Sequence, residues 1–238
     1  MSYLYYLLGF LPSIIWLLWY LRKDVHPEPN RMILKIFFLG MAGAIFALFL
    51  QMGFQGVNAF LMSFSKINFF LNIIIIFIGG ALIEEYVKYF VVKGFVFRSS
   101  ELDEPSDLMI YMLISALGFA ALENILLLLS KAATLQLPGA LGIAALRFLT
   151  ATFLHALLSA LLGYFIAISF FQGKKRFFWL GLSLVTVLHT LYNFSIMRIE
   201  GLEKFILPVI ILVGLIPVVS LSFKKLKRLK GVCVIKLS

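Results

Sequence analysis

The stretch LNIIIIFIGGALIEEYVKYFVV, residues 71–92, decides the class of fold. It is long enough to cross a bilayer as a helix, since about 20 apolar residues at 1.5 Å rise each span the hydrocarbon core. Two adjacent carboxylates, Glu84 and Glu85, interrupt it. A charged side chain near the bilayer centre costs at least about 2.5–3.5 kcal/mol, so such residues are candidates for a functional site.

The composition extends this prediction from one helix to the whole protein. Of the 238 residues, 62% are hydrophobic and 13% are charged, and a soluble domain carries roughly twice that charged fraction. The sequence therefore predicts an all-α, polytopic transmembrane helix bundle in the cell membrane. It forms a single domain, 1–238, with its core spans in 68–197. Cys233 is the sole cysteine, which excludes an internal disulfide and a thiolate metal cluster.

Seven apolar runs are long enough to span the membrane, and polar segments separate them. With the N-terminus outside, 16 of the 21 lysines and arginines lie on the inner side. Because positive residues accumulate on the cytoplasmic side, we predict an N-out, C-in orientation with about seven spans. The basic segment 224–238 is then a cytoplasmic tail that should contact anionic lipid and not nucleic acid, because it directly follows a span. The predicted spans are 3–21, 33–55, 68–97, 108–129, 141–171, 177–197 and 205–223.

Four of these spans carry polar side chains that could meet in one buried cavity. Glu84 and Glu85 lie near the middle of the third span, and Glu123 lies towards the outer end of the fourth. His155 and His189 lie near the centres of the fifth and sixth. At 1.5 Å per residue, these positions fall within roughly 10 Å of one another in depth. Three carboxylates and two imidazoles are enough to activate a water molecule, either as general base or through a metal such as zinc.

Helical spacing indicates how these side chains are directed. His189 and Asn193 are four residues apart and share a helix face, as do Glu84 and Lys88. Residues at this spacing are neighbours on the helix surface. Glu84 and Glu85 point about 100° apart, so one can meet water while the other meets a neighbouring helix.

Structural roles are an alternative explanation for each residue taken alone. Glu84 could form an ion pair with Lys88 that holds the bundle together. Glu123 could pair with Arg147, and a histidine or Asn193 could hydrogen-bond a neighbouring helix. Two functional alternatives also stay open: a proton- or ion-coupled carrier, which uses buried carboxylates as a relay, and a non-catalytic scaffold. The lack of a repeated half in the sequence argues against the carrier.

Five short motifs occur in order from the first loop to the sixth span. They are DVHPEPNR at 24–31, EEYVK at 84–88, GFAALEN at 118–124, HALLSALLGY at 155–164 and HTLYN at 189–193. Together they resemble the PrsW family of intramembrane proteases. The resemblance implies one integral membrane protease domain that cuts membrane-anchored proteins near the outer face. The best-known role in that family is site-1 cleavage of an anti-sigma factor.

The family is distantly similar to the CAAX-prenyl endopeptidases and bacteriocin-processing enzymes. Those enzymes carry paired glutamates, then F-x-x-x-H, then H-x-x-x-N. In this chain the middle motif reads Phe119-x-x-x-Glu123, with Glu in place of His. His155 is therefore the candidate to supply the missing imidazole from another helix.

These observations lead to a hypothesis for the catalytic residues. Glu84 activates water and Glu85 assists it, while Glu123 and His155 position the water or bind a metal. Donors that stabilise a developing oxyanion contribute about 3–4 kcal/mol each. A metal-dependent version would use Glu85, His155 and His189, with zinc as the candidate ion, and the metal-free version stays equally open. The oxyanion donors would be His189 and Asn193.

Overall fold

Eight α-helices make up most of the chain that the structure describes. The structure is a computed structural model that describes residues 2–22, 27–64, 69–134 and 136–228. These residues contain no β-strand, so the predicted all-α fold is confirmed. A short 3₁₀ turn at Glu203–Phe205 precedes the last helix. The helices are α1 (Ser2–Leu21), α2 (Asn30–Phe64), α3 (Phe69–Phe95), α4 (Asp107–Ser130), α5 (Leu137–Leu149), α6 (Ala151–Gln172), α7 (Arg176–Arg198) and α8 (Ile206–Lys227).

Six helical segments of the described residues are long and apolar enough to cross a membrane. They are formed by α1, α2, α4, the consecutive pair α5–α6, α7 and α8. Helix α3 corresponds to the remaining predicted span, and it packs against α2, α4 and α7 in the same bundle. The polytopic helix bundle is thus confirmed, while the N-out, C-in orientation stays a prediction.

Two predicted features extend beyond the described residues. Residues 24–26 of the first loop lie outside them, but Glu28 of the same loop is buried and accepts a hydrogen bond from the Tyr111 hydroxyl of α4. Residues 229–238 of the basic tail also lie outside them. The first part of that tail, up to Lys227, continues α8 as a helix.

The fifth predicted span, 141–171, is wrong as one continuous helix. The chain breaks at Thr150, where φ is −120° and ψ is −88°. With 13 residues, α5 reaches only about 20 Å and cannot cross the bilayer alone. Trp16 of α1 supports the break, because its indole N–H donates to the Phe148 carbonyl at 2.9 Å. Its ring also stacks on Phe148 and Phe153, which lie on either side of the break.

Helix α4 lies at the centre of the bundle, in contact with α1, α2, α3 and α6. Nearly all residues in 107–121 are buried, as expected for a helix that is apolar on every face. Helix α2 crosses it closely at two glycines. A β-carbon on Gly40 would meet the Ser115 carbonyl, and one on Gly118 would meet the Phe37 carbonyl. Only glycine fits at this crossing.

Gly118→Ala is therefore expected to destabilise the protein, because the added β-carbon would overlap the Phe37 backbone. Overpacking of this kind costs typically about 1–3 kcal/mol. Thermal unfolding of the purified protein in detergent measures the effect. Gly53→Ala on α2 is the matched control, since nothing lies within 4 Å of its added β-carbon. Equal melting temperatures for the two variants would refute the close crossing.

Candidate active site

Glu85 is fully buried and its carboxylate is held by side chains from three helices. Lys88 Nζ donates to its Oε1 at 2.8 Å, and His189 Nδ1 lies 2.9 Å from the same atom. Ser159 Oγ donates to its Oε2 at 3.4 Å. With both oxygens occupied, Glu85 fixes the orientation of its neighbours.

Glu84 faces the other way, towards α2. The Gln51 amide nitrogen donates to Glu84 Oε1 at 3.0 Å and to the Gly80 carbonyl at 3.2 Å. Glu84 Oε2 is buried and accepts no hydrogen bond from the described residues. It lies 3.7 Å from His189 Nε2 and 3.9 Å from Lys88 Nζ. Because most buried polar atoms have a partner, an unpaired carboxylate oxygen calls for an explanation, and a ligand is one.

The two histidines are adjacent and perpendicular, with ring centroids 5.0 Å apart. Lys88 Nζ lies 2.7 Å from His155 Nδ1, and Glu123 Oε2 lies 2.9 Å from His155 Nε2. Since an ammonium group only donates and a carboxylate only accepts, neutral His155 carries its proton on Nε2. Neutral His189 carries its proton on Nδ1, which bonds Glu85. Both nitrogens of His155 are thus engaged, whereas His189 Nε2 keeps a lone pair.

Glu84, His155 and His189 form a group that could hold a metal ion. Each offers one ligand atom, and these atoms lie within 4.8 Å of one another. Glu85 contacts His189 and Glu123 contacts His155, as carboxylates do where they orient metal-ligating imidazoles. The predicted metal set contained Glu85 in place of Glu84. The structure groups Glu84 instead, because the oxygens of Glu85 are occupied by its own neighbours.

The predicted pairing of Glu123 with Arg147 is present near the C-terminal end of α4. Arg147 Nη2 donates to Glu123 Oε2 at 3.4 Å, and its Nε donates to Asn124 Oδ1. Asn124 in turn donates to Thr152 Oγ1 at 3.0 Å. The break between α5 and α6 follows closely after Arg147 of α5, whose guanidinium lies beside the α4 carboxylate that contacts His155.

Asn193 is not brought into this group. It is half-buried, and it makes no hydrogen bond to the part of the chain that the structure describes. Two residues that the sequence analysis missed do join the group. Gln51 is a lone amide within the apolar run 48–54, and Ser159 follows His155 by four residues on the same helix. Both signals are visible in the sequence, although each is also common in helices that only pack together.

A cleft with a volume of about 350 Å³ opens beside the group, between α2, α4 and α5. Glu84 and Glu123 line it, together with Gln51 and Arg147. Glu84 therefore belongs both to the cleft lining and to the buried group, in which its Oε2 has no hydrogen-bond partner among the described residues. The rest of the lining is formed by Ala44, Ala47, Leu48, Phe119, Leu126, Leu127 and Ser130.

A helix bundle that encloses carboxylates and imidazoles beside such a cleft has the features of a membrane-embedded enzyme. The model of the PrsW family of intramembrane metalloproteases matches residues 28–221, and the chain belongs to that family. Protease PrsW of Geobacillus kaustophilus is 31% identical over 185 residues, which cover 76% of this chain and 74% of that protein. Protease PrsW of Bacillus subtilis is 30% identical over 206 residues, covering 84% and 86%. No solved structure matches the chain.

The family decides between the alternatives that the sequence left open. The protein is an intramembrane protease and a multi-pass protein of the cell membrane, and its substrates are proteins. Membership of a protease family does not favour the alternative function of a proton- or ion-coupled carrier.

Proposed function

We propose that this protein is an endopeptidase that hydrolyses a peptide bond of a membrane-anchored protein, with Glu84 as the base that activates water. One observation supports this role above the others: Glu84 Oε2 is buried without a partner on a residue that lines the cleft. A general base must lie within hydrogen-bond reach of the proton that it removes. A water molecule held by Glu84 meets this requirement for a peptide bond in the cleft.

The proton transfers can be assigned to the same carboxylate. Glu84 takes a proton as the water oxygen attacks the scissile carbonyl carbon, and it returns that proton to the amine as the C–N bond breaks. Glu85 holds His189 in the orientation that directs Nε2 towards Glu84. His189 and Asn193 are the oxyanion donors proposed from the sequence. His189 Nε2 could donate only in the protonated ring, because Nδ1 of the neutral ring carries the proton that bonds Glu85, and Asn193 lies outside the group. We add Arg147, because its guanidinium lines the cleft together with Glu84.

The residues present also suit a zinc ion, in a metal-dependent version of the proposal. Two imidazoles and one carboxylate are a common ligand set of catalytic zinc, and Glu84 Oε2, the base of the metal-free version, would then be a ligand. When bound there, zinc would supply Lewis-acid activation of water and of the scissile carbonyl. His155 would have to release either Lys88 or Glu123 to serve as a ligand. The remaining carboxylates would keep the imidazoles oriented.

Zinc binding is expected to depend on His189. His189→Ala should weaken zinc affinity at least about tenfold, since removing even an outer-sphere partner of a zinc ligand costs about 10–100-fold. Equilibrium dialysis of the purified protein followed by elemental analysis measures this without an activity assay. Asn193→Ala is the matched control on the same helix face. Equal zinc affinity in the two variants would argue for direct activation of water by Glu84 without a metal.

A cleavage assay tests the proposed function. The purified protein in detergent is incubated with a panel of single-span proteins, with and without a zinc chelator. Cleavage that is lost with the chelator and restored by added zinc would support the metal-dependent version. Cleavage that the chelator leaves unchanged would support the metal-free one. The family resemblance makes a single-span anti-sigma factor the first substrate for the panel.

A second part of this proposal concerns lipid. Lys224, Lys225 and Lys227 follow the apolar part of α8 without a break in the helix. Basic residues at the end of a span attract anionic lipid with about 1 kcal/mol each. We propose anionic lipid at the inner face as the partner of this segment, and no nucleic acid.

A further inference from the structure

The geometry points to the cleft between α2, α4 and α5 as the site that binds the substrate, in the form of a short, extended, apolar segment beside the scissile bond. This inference rests on the proposed function and names the substrate chemistry of the same site. It also assigns Leu48 and Leu126 as residues that select the size of the bound side chain.

Glu84 connects the cleft to the active-site group. Of the three residues that could hold a metal, only Glu84 is part of the cleft lining, while His155 and His189 lie behind it. A peptide that occupies the cleft therefore meets the active-site group at the Glu84 carboxylate. Because the cleft is continuous with that carboxylate, we infer that the substrate segment bound in the cleft is the segment that is cut.

The walls of the cleft are mostly apolar. Leucines, alanines and one phenylalanine from α2 and α4 form most of them. The charged side chains of the lining are Glu84, Glu123 and Arg147, and the last two already pair with each other. A charged substrate side chain on the apolar side would lose its hydration without gaining a partner. An apolar side chain gains about 25 cal/mol for each Å² that it removes from water.

The size of the cleft limits how much of the substrate it can hold. The volume of the cleft is about 350 Å³. A transmembrane helix of 20 residues is about 30 Å long and 10 Å across, so the cleft takes only a short segment of the substrate. Peptide carbonyls inside a helix accept hydrogen bonds from that helix, so a segment bound in extended form exposes its carbonyl to attack.

Two leucines lie at the opening of the cleft. Leu48 on α2 and Leu126 on α4 line the cleft and are nevertheless 44% and 42% exposed. They stand where the cleft meets its surroundings, on the two helices that form its walls. Because they are exposed, their size can be changed with little effect on the core. The structure offers a matched control in Leu50, which is also on α2, is 41% exposed and does not line the cleft.

The test uses a library of single-span proteins in which the segment that leaves the membrane on the outer side is randomised. Cleavage sites are mapped by mass spectrometry for the wild type, Leu48→Trp, Leu126→Ala and Leu50→Trp. We expect Leu48→Trp to lower kcat/KM for Leu, Phe or Met beside the cut at least tenfold relative to Ala or Gly. Leu126→Ala should shift the preference the opposite way, and Leu50→Trp should match the wild type. Equal preferences in all four proteins would overturn the assignment.

A binding measurement separates this inference from the proposed function. A photo-crosslinking amino acid is placed at position 48 or 50 in the Glu84→Gln protein, and capture of the same library is measured. Capture at 48 but not at 50 supports the cleft as the binding site, even if the wild type cleaves nothing and the proposed function fails. The opposite outcome is cleavage by the wild type together with equal capture at both positions, or with no capture at position 48. It would overturn the assignment of the cleft as the binding site and would leave the proposed function intact.

Discussion

Glu84→Gln is expected to lower kcat for cleavage of a single-span protein by about 10²–10⁴-fold, the range that a general base contributes. The amide has nearly the same shape as the carboxylate but cannot take a proton from water. Glu84 accepts a hydrogen bond from Gln51 through Oε1 only, so the bundle tolerates the change. The measurement is the rate of cleavage by the purified variant in detergent, on a substrate that the wild type cuts.

Two controls make this result specific to Glu84. Glu203→Gln alters an exposed carboxylate on the 3₁₀ turn before α8 and should leave the rate unchanged. The melting temperature of Glu84→Gln should stay close to that of the wild type, which excludes unfolding as the cause. Wild-type cleavage by a folded Glu84→Gln protein would contradict the assignment of the base, and it is the result that a purely structural Glu84 predicts.

The sequence predicted the meeting of the site residues because each is costly in an apolar helix. Glu84, Glu123, His155 and His189 lie at similar depth in different helices, and burying them without partners would be unfavourable. Their convergence therefore follows from energy and depth alone. Which glutamate faces the cleft depends on the rotation of α3 about its axis, which periodicity does not define in a helix that is apolar on most sides. The sequence alone therefore does not separate Glu84 from Glu85 as the metal ligand.

The break at Thr150 depends on contacts between residues distant in the sequence. The segment 141–171 is mostly apolar, and it contains neither a proline nor a run of charged residues that would stop a helix. Trp16, more than a hundred positions earlier, supports the break through a hydrogen bond and two stacked rings. Such contacts leave no local signal in the sequence around Thr150. The break also affects the active site, because it positions Arg147 against Glu123.

Lys88→Met is expected to lower the free energy of unfolding by about 3–5 kcal/mol, the typical loss when one partner of a buried ion pair is removed. Lys88 is fully buried, with its Nζ 2.8 Å from Glu85 Oε1 and 4.7 Å from the centre of the Phe119 ring. Methionine fills a similar volume without the charge, so the Glu85 carboxylate would remain buried and uncompensated. Denaturant titration of the purified protein in detergent measures the loss. Lys93→Met on the exposed side of the same helix is the matched control and should change little.

The double variant Lys88→Met/Glu85→Gln decides whether the uncompensated charge is the cause. Removing both charges should recover most of the stability, as replacement of a whole buried pair by uncharged residues is often neutral. If the double variant stays as unstable as Lys88→Met, packing and not charge accounts for the loss. Lys88 also bonds His155, and Glu85 bonds His189. Recovery of stability without recovery of cleavage would therefore show that this pair has two separable roles: it holds the bundle together, and it orients the two imidazoles beside Glu84.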